Sequence, residues 1–487
     1  MECALLAGAQ IRLGRTSPNA FREFRGWTAF VQVGMAKRGM KKKVSCEPDD
    51  NATPAPVGFK AAFWQCFDGV LPTLPKRRGR RPRVALDQVL PTLVFHVMNA
   101  AGTLAEHFAQ LFQDTLAESS LSERRTRLPW EVFTELMRRG LRALADQATH
   151  PEAFWRGWRL VALDGTQFSL TNTPQIKATA RKAKSRRGCA AFAKMTAGVL
   201  LELGLHNPLA AAIGLGGQSE WALALELLAQ LPAQALLLAD RLHGCAAFAA
   251  QALAACQKVG SHFLIRARSD IQAKTLRRYK DGSRLVRLPV RQKGHRRRIT
   301  HWLELREIRV RVQRAGHRAQ ELRLWTSLLD PKSAPAAELI ELYARRWEHE
   351  LYYRELKRQL RKNEVLQSHT LETGAQEIAA LVLASALLAR ERARAAAGQV
   401  PVLRVSFVKT LELMRPLWLT LALGGDLLSA RQKQQLTERF LERAGQYVTR
   451  PRRQPRSCPR AVRRPVSSWP RLTHNQSWEG PLHFKIL

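Results

Sequence analysis

One segment of the sequence, ELYARRWEHELYYRELKRQLRKNE beginning at Glu341, spaces residues suited to phosphate and metal chemistry along a predicted helix. At 3.6 residues per turn, four of its side chains project within about 60° of one another. These four are Tyr343, Arg346, Glu350 and Lys357. A carboxylate flanked by an arginine, a lysine and a tyrosine suits a site that holds a divalent cation and grips phosphate oxygens. The pattern alone leaves open a solvated charged face with internal ion pairs.

The same helical geometry separates the three candidate glutamates of this segment. Glu348 and Glu355 project about 120° to 140° away from Tyr343 at 3.6 residues per turn. Glu350 alone shares the stripe with the basic residues, which makes it the candidate carboxylate.

Two aspartates elsewhere follow short apolar runs that are predicted to be strands. Asp164 follows LVAL and Asp240 follows LLLA, so each is expected to end its strand. Carboxylates at strand ends, combined with one from a later helix, can bind two Mg²⁺ ions about 3.5 to 4 Å apart and support phosphodiester chemistry. Each aspartate alone is a weak signal, because Asp-Gly is also a common turn. Asp281-Gly282 and Asp330-Pro331 are interpreted as such turns, without a functional role.

The elements that would position these residues are predicted from hydrophobic periodicity. Residues from about 53 to 150 have a helical pattern, and from Arg159 the pattern predicts three strands, a helix, a strand and a helix. Alternation between about 261 and 328 predicts several arginine-rich antiparallel strands, followed by a long helix that starts near Ala334. This order predicts a mixed α/β domain behind an all-helical region.

Net charge narrows the class of partner. The 487 residues include 79 Lys and Arg against 40 Asp and Glu, which gives a formal net charge of +39. A compact domain usually carries about 2 to 8 net charges, so this excess indicates a polyanionic partner, with nucleic acid favoured over a small acidic substrate. Ribosomal, chromatin and DNA-processing proteins all fit this charge.

Cysteine usage and hydropathy disfavour two other classes. The seven cysteines are odd in number and lack a CxxC pair, which argues against a disulfide framework or zinc ribbon and fits a reducing cytoplasm. The longest apolar run, Ile378 to Ala389, is about 12 residues, whereas a bilayer span needs about 20, so a buried core helix and no membrane partner are expected. The first residues, MECALLAGAQIRLG, make a poor secretory signal.

With these motifs in place, the sequence resembles a known family. The spacing of Tyr343, Arg346, Glu350 and Lys357 matches the YREK signature of bacterial transposases of the insertion sequence 4 family. LDGT at Asp164 and ADR at Asp240 resemble the first and second aspartate motifs of that family, and the likeness covers about residues 80 to 400. The resemblance implies a ribonuclease-H-like catalytic domain with an antiparallel β-strand insertion between the second aspartate and the glutamate.

The resemblance also implies roles for individual residues. Asp164, Asp240 and Glu350 would be the catalytic metal ligands, binding two Mg²⁺ ions for which Mn²⁺ is an expected substitute. The phosphates of the transposon end would be contacted by Tyr343, Arg346 and Lys357. His243, near the second aspartate, could be mistaken for a ligand, but Mg²⁺ prefers oxygen and we reject that reading.

The family implies a cut-and-paste reaction. Metal-activated water nicks the element end, the freed 3′-OH forms a hairpin on the opposite strand, and after hairpin opening the 3′-OH attacks target DNA. Every step is an in-line phosphoryl transfer, so one metal pair can serve all of them. The expected partners are the terminal inverted repeats and target DNA, held by a homodimer in a synaptic complex in the bacterial cytoplasm, at the nucleoid.

The expected organisation has five parts. They are a basic disordered leader at 1–52, a helical DNA-binding region at 53–150, the catalytic domain at 151–400 with its insertion at about 261–328, a C-terminal helical region at 401–448, and a basic disordered tail at 449–487. The weaker DNA-binding candidates are basic residues clustered along the chain, namely Arg77, Arg78, Arg80, Arg81, Arg124, Arg125, Arg266 and Arg268. Trp325 and Trp302 are candidates for base stacking, with a buried structural tryptophan as the alternative for each.

Two alternative functions remain open at this point. One is a metal-dependent nuclease that cuts DNA without joining it. The other is a DNA-binding protein derived from an element, in which the acidic residues are structural.

Overall fold

The structure is a computed structural model. It describes residues 11–13, 59–65, 67, 84–99, 101–185, 188–292, 298–314, 319–360, 363, 365–425, 427–449 and 482–486. The predicted leader and tail lie almost entirely outside the described residues. The basic candidates Arg77, Arg78, Arg80 and Arg81 lie outside them as well.

Thirteen α-helices are formed by the described residues. They are α1 Phe59–Gln65, α2 Leu86–Met98, α3 Leu104–Phe112, α4 Glu118–Thr126, α5 Trp130–Gly140, α6 Pro174–Thr179, α7 Glu220–Leu228, α8 Ala246–Lys258, α9 Ala336–Ala344, α10 Trp347–Arg354, α11 Leu371–Ala396, α12 Phe407–Gly424 and α13 Ala430–Gln446. Several begin at a polar cap that satisfies free backbone N–H groups; the Thr103 side chain, for example, accepts from Glu106 N at the start of α3. The helical region predicted before residue 150 is therefore present.

Helix α11 forms the centre of the helical layer. It is long and apolar enough to cross a membrane, but 83% of its most apolar window is buried inside the protein. Helices α2 and α5 pack against it from one side, and α12 and α13 also contact it. The buried core helix predicted for Ile378 to Ala389 is confirmed, within a longer helix.

Fourteen strands are formed by the described residues. They are β1 Ile11–Leu13, β2 Phe154–Trp155, β3 Trp158–Ser169, β4 Lys184–Ser185, β5 Gly188–Cys189, β6 Lys194–Glu202, β7 Asn207–Ile213, β8 Ala235–Ala239, β9 His262–Arg266, β10 Lys274–Arg278, β11 Arg284–Arg291, β12 Ile299–Arg314, β13 Gln320–Thr326 and β14 Leu482–Ile486. Twelve of them form one sheet, and β4 and β5 form a separate hairpin.

The centre of the large sheet has the strand order β7-β6-β3-β8-β9. Strands β3, β6 and β7 pair antiparallel, whereas β3, β8 and β9 pair parallel. The predicted order of three strands, helix, strand and helix is confirmed by β3, β6, β7, α7, β8 and α8. The arginine-rich segment continues the sheet through the antiparallel strand β13 to β12 and β11. The result is a mixed α/β fold around a large, mostly antiparallel sheet.

Apolar side chains cover both faces of this sheet. Because side chains alternate along a strand, Leu163 and Ala239 join the core under α7 and α8, while Ala162 and Leu238 join the core shared with α9 and α11. The first of these cores also contains residues of β11, β12 and β13, and the second extends into helices α1 to α5. The second core is thus continuous between the sheet and the N-terminal helices.

The segment from Glu341 is not the single helix that its periodicity predicts. Helix α9 ends at Ala344, α10 begins at Trp347, and residues Glu355–Leu360 form a π-helical turn. At the break the backbone uses tighter bonds of the 3₁₀ type, with Arg346 N donating to Tyr343 O at 3.1 Å. The break lies at Arg346, whose side chain reaches Asp164 on the sheet.

Candidate active site

Asp164 and Asp240 come together at one edge of the parallel ladder. The last pair of that ladder is Leu163 opposite Ala239, and each aspartate follows directly. Because Leu163 and Ala239 face the α7 and α8 layer, both aspartates turn to the opposite face, under α9 and α10. The prediction that Asp240 ends its strand is confirmed. For Asp164 it is wrong: β3 continues to Ser169 through its antiparallel pairing with β6.

Asp164 is held by three contacts. Its Oδ1 accepts from Gly165 N at 2.9 Å, and its Oδ2 lies 3.2 Å from Arg346 Nη1. Its backbone carbonyl accepts from the hydroxyl of Tyr353 at 2.8 Å. These contacts fix both the carboxylate and the strand that carries it.

Arg346 joins the two acidic parts of the site. One guanidinium nitrogen contacts Asp164, and the other lies 2.7 Å from Glu350 Oε1. The Arg346 side chain is only 3% exposed, whereas that of Glu350 is 34% exposed. The structure therefore brings Asp164, Asp240 and Glu350 into one neighbourhood, with the guanidinium between the first and the last.

The carboxyl group of Asp164 is strongly perturbed. Burial, together with the negative charges of Asp240 and Glu220, raises its pKa to about 7, although Arg346 opposes the shift. The influence of Asp240 on this pKa reflects the proximity of the two acids. A site that concentrates acidic groups in this way attracts a cation.

The three carboxylates of the site are suitable ligands for a divalent metal ion, although they do not form a complete coordination site in this structure. Asp164, Asp240 and Glu350 offer only carboxylate oxygens, the ligands that hard cations prefer. Among the described residues, no three His, Cys, Asp or Glu side chains converge on one metal-sized point. The Arg346 guanidinium is the cation that pairs with the acids in this arrangement.

The remaining members of the predicted stripe line β3 and β8. Lys357 Nζ donates to Gln167 O at 2.7 Å and to the Thr166 hydroxyl. Tyr343 is 1% exposed, and its hydroxyl donates to Ala239 O at 3.4 Å, directly before Asp240. Since Tyr343 is buried, a direct phosphate contact is wrong for it in this structure. Arg346 is buried as well, where it pairs with Asp164 and Glu350, and its contact with phosphate stays a prediction.

Glu348 and Glu355, which helical geometry places away from the stripe, form hydrogen bonds and ion pairs outside the acidic site. Glu348 accepts from Gly204 N at 2.7 Å and pairs with Arg345. Glu355 Oε2 lies 2.7 Å from His206 Nδ1, and its other oxygen lies near the buried Arg392. Glu350 is thus the glutamate of this segment that pairs with Arg346, the residue that also contacts Asp164.

One acidic residue of this neighbourhood was missed from the sequence. Glu220 is the first residue of α7, and its side chain lies over Gly165, where an added Cβ would stand 2.9 Å from Oε1. Burial and the charge of Asp240 raise the pKa of the Glu220 carboxyl, while the Gly165 N–H opposes the shift. The available signal was weak: an acid after an N-cap serine, Ser219, is common at any helix start.

His243 lies behind Asp240 and is completely buried. Burial lowers the pKa of His243 to about 4, against the raising effect of Asp240. Among the described residues neither ring nitrogen has a hydrogen-bond partner. The imidazole packs against Phe248 with ring centroids 4.7 Å apart, which is a core position.

Four of the weaker DNA-binding candidates can be placed. Arg125 donates to Thr373 O at 3.0 Å and to Ser368 and Gln376, so it ties α4 to α11. Arg124 donates to Val84 O at 3.2 Å. Arg268 lies beyond the end of β9 and donates to Leu242 O, whereas Arg266 is the last residue of β9 and is buried.

The two tryptophans differ in exposure. Trp325 is fully buried on the α7 and α8 side of the sheet and donates to Glu307 Oε2 at 3.0 Å, so base stacking is wrong for it in this structure. Trp302 is 52% exposed. Ile308 pairs with Leu324, and Leu324 pairs with Arg266, which lies opposite Asp240 across neighbouring strands. Trp302 precedes Ile308 by six residues on the same strand. Trp302 is therefore about 20 Å along the strands from the aspartates.

Comparison with known proteins finds similarity to transposases. Residues 155–387 match the family described as the transposase DDE domain. The chain is 27% identical over 357 residues to Transposase InsG for insertion sequence element IS4 of Escherichia coli (strain K12), covering 72% of this chain and 77% of that protein. Among solved structures it is similar to a piggyBac transposase synaptic complex with hairpin DNA, with a TM-score of 0.37 and 8% identity over 80% of this chain and 87% of that one.

The matched residues contain both aspartates, the glutamate and the strands between them. DDE transposases are DNA-processing enzymes that generally act with divalent metal ions, and the acidic neighbourhood at Asp164 agrees with that requirement. The chain is thus similar to DDE transposases, among them a transposase of insertion sequence element IS4.

Proposed function

We propose that this transposase moves its element by a cut-and-paste reaction, with Asp164, Asp240 and Glu350 as its catalytic carboxylates. The observation that carries the proposal is the placement of Asp164 and Asp240 after the same ladder pair, with Glu350 joined to Asp164 through Arg346. The two aspartates are 76 residues apart in the sequence and Glu350 is a further 110 away, so the fold alone assembles them.

The catalytic domain is proposed to be ribonuclease-H-like. Support comes from the order β7-β6-β3-β8-β9, with three antiparallel strands followed by two parallel ones and a helix after β7 and β8. In parallel sheets, ligands bind beyond the carboxyl ends of the strands, and Asp240 lies at such an end.

Two Mg²⁺ ions are the proposed cofactors, held by Asp164, Asp240 and Glu350. When bound, such a pair lowers the pKa of an attacking water or 3′-OH and stabilises the leaving oxygen of the phosphodiester. The acids supply the negative charge that retains the cations. Burial raises the pKa of Asp164 most, and the charges of Asp240 and Glu220 raise it further.

The neighbouring basic and phenolic groups orient these acids. Arg346 pairs with Asp164 and Glu350. Once cations bind these acids, the Arg346 guanidinium is free to pair with a DNA phosphate instead. Lys357 is partly exposed beside Thr166 and is the residue of the signature best placed to contact phosphate. Tyr343 is proposed to position Asp240, because its hydroxyl holds the carbonyl of Ala239.

The substrates are proposed to be the terminal inverted repeats of the element and target DNA, with a hairpin intermediate at each end. The helical region at 53–150 is proposed to bind the ends, and the net charge of +39 supports DNA as the partner. A homodimer would hold two ends together in the bacterial cytoplasm. Exposed apolar side chains near the end of α12, Leu423 and Leu427, support a contact between subunits there.

Strand transfer tests this function against the two alternatives. A pre-nicked duplex from the DNA that flanks the coding sequence is incubated with supercoiled plasmid, Mg²⁺ and the protein. A transposase joins the duplex to plasmid, a nuclease cuts without joining, and a DNA-binding protein shifts the duplex and does neither. Joining is the expected result; cutting without joining, or binding alone, would overturn the proposal.

A further inference from the structure

Glu220 is a further acidic side chain at the edge of the sheet where Asp164 and Asp240 meet. It is the first residue of α7, and its carboxylate lies against Gly165, the residue that follows Asp164 on β3. The Gly165 N–H donates to Asp164 Oδ1 at 2.9 Å and also stabilises the ionised form of Glu220. The carboxylates of Asp164 and Glu220 therefore approach the same backbone N–H.

Helix α7 packs on the sheet face opposite to α9 and α10, but the end of β8 leaves this edge open to both faces. The parallel ladder of β3 and β8 ends with Leu163 opposite Ala239, so beyond that level β8 no longer flanks β3. Gly165 lies beyond it and has no side chain, and an added Cβ there would stand 2.9 Å from Glu220 Oε1. Glu220 thus reaches the edge from one face, while the two aspartates reach it from the other.

The separation of the Asp164 and Glu220 carboxylates suits a shared metal site. These two distances and the bond geometry of Gly165 place Glu220 Oε1 at most about 8 Å from Asp164 Oδ1. Two Mg²⁺ ions about 3.5 to 4 Å apart, each about 2.1 Å from its oxygen ligands, span about 8 Å between the outermost oxygens. One metal pair can therefore contact both carboxylates.

Negative charge exceeds positive charge at this edge. Arg346 pairs with Asp164 and Glu350. Within the described part of the chain, no Lys or Arg side chain forms an ion pair with Asp240 or Glu220. Four carboxylates against one guanidinium leave a formal excess of three negative charges, which divalent cations would neutralise.

A role in capping α7 does not account for the placement of Glu220. Ser219 already caps this helix, because its hydroxyl accepts from a backbone N–H of the first turn at 3.3 Å. At the start of α3, by contrast, Glu106 Oε2 accepts from Thr103 N at 2.7 Å and so caps its own helix. An acid in the first turn interacts favourably with the helix dipole without contacting a sheet. Glu220 instead lies against Gly165, which indicates a role at the strand edge.

We propose that Glu220 is a fourth carboxylate ligand of the divalent metal site formed by Asp164, Asp240 and Glu350. The proposal rests on the proposed function, because that function supplies the metal ions. Each added carboxylate raises the affinity of an oxygen site for hard divalent cations. Loss of the Glu220 carboxylate should therefore weaken metal binding and leave duplex binding unchanged.

Binding of Mn²⁺ to the full-length protein without DNA tests the proposal, with free Mn²⁺ measured by electron paramagnetic resonance. The compared variants are E220Q, D240N and the matched control E226Q, which changes an exposed glutamate of the same helix. E220Q is expected to bind Mn²⁺ about 10-fold more weakly than wild type, and D240N at least as weakly as E220Q, while E226Q stays near wild type. In cleavage of the flanking-DNA duplex, E220Q should need about 10-fold more Mg²⁺ for its half-maximal rate, with unchanged duplex affinity in EDTA.

Thermal unfolding with and without Mn²⁺ checks that each variant is folded, and should E220Q fail to fold, E220A replaces it. An E220Q that binds Mn²⁺ as E226Q does, beside a D240N that has lost binding, would overturn this proposal alone. Wild-type Mn²⁺ affinity in D240N as well would overturn the metal site of the proposed function. An E220Q that loses duplex affinity in EDTA together with Mn²⁺ affinity would show a general structural role for Glu220 and would also overturn the proposal.

Discussion

Asp164 and Asp240 stand side by side at the same level of two parallel strands and turn to the same face of the sheet. Two acids held this close, one of them 15% exposed, are unfavourable without a cation. This unfavourable pair lies at the carboxyl end of β8. Arg346 and Glu350, from the region where α9 meets α10, lie beside it, and Arg346 contacts Asp164. This relationship supports the proposed catalytic role of the two aspartates, because an unfavourable pair of acids contributes nothing to a structural core.

Replacing Asp164 by Asn is expected to stabilise the metal-free protein at pH 8. Because the pKa of Asp164 is raised from 3.8 to about 7 in the folded protein, the folded state binds more protons than the unfolded state between these values. Stability therefore falls by about 4 kcal/mol as pH rises from about 4 to 7, and D164N escapes this loss. Chemical unfolding in EDTA at pH 8 and at pH 4 measures it, and the two proteins should converge at pH 4. A D164N that is less stable than wild type at pH 8 would contradict the account.

Removing Arg346 is expected to be costly for a different reason. R346A leaves Asp164 and Glu350 without their shared partner in a buried setting, so a loss of about 3 kcal/mol is expected. In the R346A/D164N double variant one of the stranded charges is gone, and the loss should shrink by about 1 kcal/mol or more. Urea unfolding of the four proteins gives the coupling free energy. Additive effects would show that the 3.2 Å contact is energetically unimportant.

Gly165 is expected to tolerate a methyl group only when Glu220 is shortened. An added Cβ would overlap the Glu220 side chain, standing 2.9 Å from its Oε1. G165A should destabilise the protein by about 1 to 2 kcal/mol, and G165A/E220A should lose markedly less than the sum of the single changes. Thermal unfolding of both single variants and the double variant tests this. Strict additivity would place Glu220 away from Gly165 in solution.

The pair His96 and His107 predicts an acid-labile contact in the helical region. Their Nδ1 atoms lie 2.9 Å apart, and burial, followed by the charge of His107, lowers the pKa of His96 from 6.5 to about 4. Between about pH 6.5 and 4, His96 therefore binds a proton in the unfolded chain but not in the folded protein. Stability is complete above about pH 6.5 and falls by about 3 kcal/mol as pH drops towards 4. An H96Q variant should show a flatter fall between pH 7.5 and 5 in chemical unfolding, and an unchanged slope would rule out this pair as the cause.

Local patterns were sufficient to predict the acids of the site. Asp240 follows a buried apolar run, and Glu350 follows from helical spacing relative to Tyr343, so both depend on residues close in sequence. The predicted pairing of Arg346 with Glu350 is present despite the break at Arg346, and α10 packs against β3. No proline or glycine announces that break; it coincides with the reach of Arg346 to Asp164, which is a tertiary contact.

The features that sequence reasoning missed depend on which elements meet in space. Glu220 approaches Gly165 only because α7 begins at the catalytic edge of the sheet. Trp325 is buried because helices cover its face of β13, whereas Trp302 is exposed on β12 far from the aspartates. Arg125 looked like a DNA-binding residue by charge, but its partners lie about 250 positions later, on and just before α11. A single sequence does not encode such contacts in any local pattern.

Cleavage of the flanking-DNA duplex in Mg²⁺ by D164N, D240N and E350Q, with E348Q as the matched control, tests the central claim most directly. Glu348 lies two residues from Glu350 on α10 but turns to Gly204, so its loss alters charge equally without touching the site. The account predicts that all three site variants lose cleavage by at least about a thousandfold while binding the duplex normally, and that E348Q retains activity. Cleavage at wild-type rates by any of the three would contradict it.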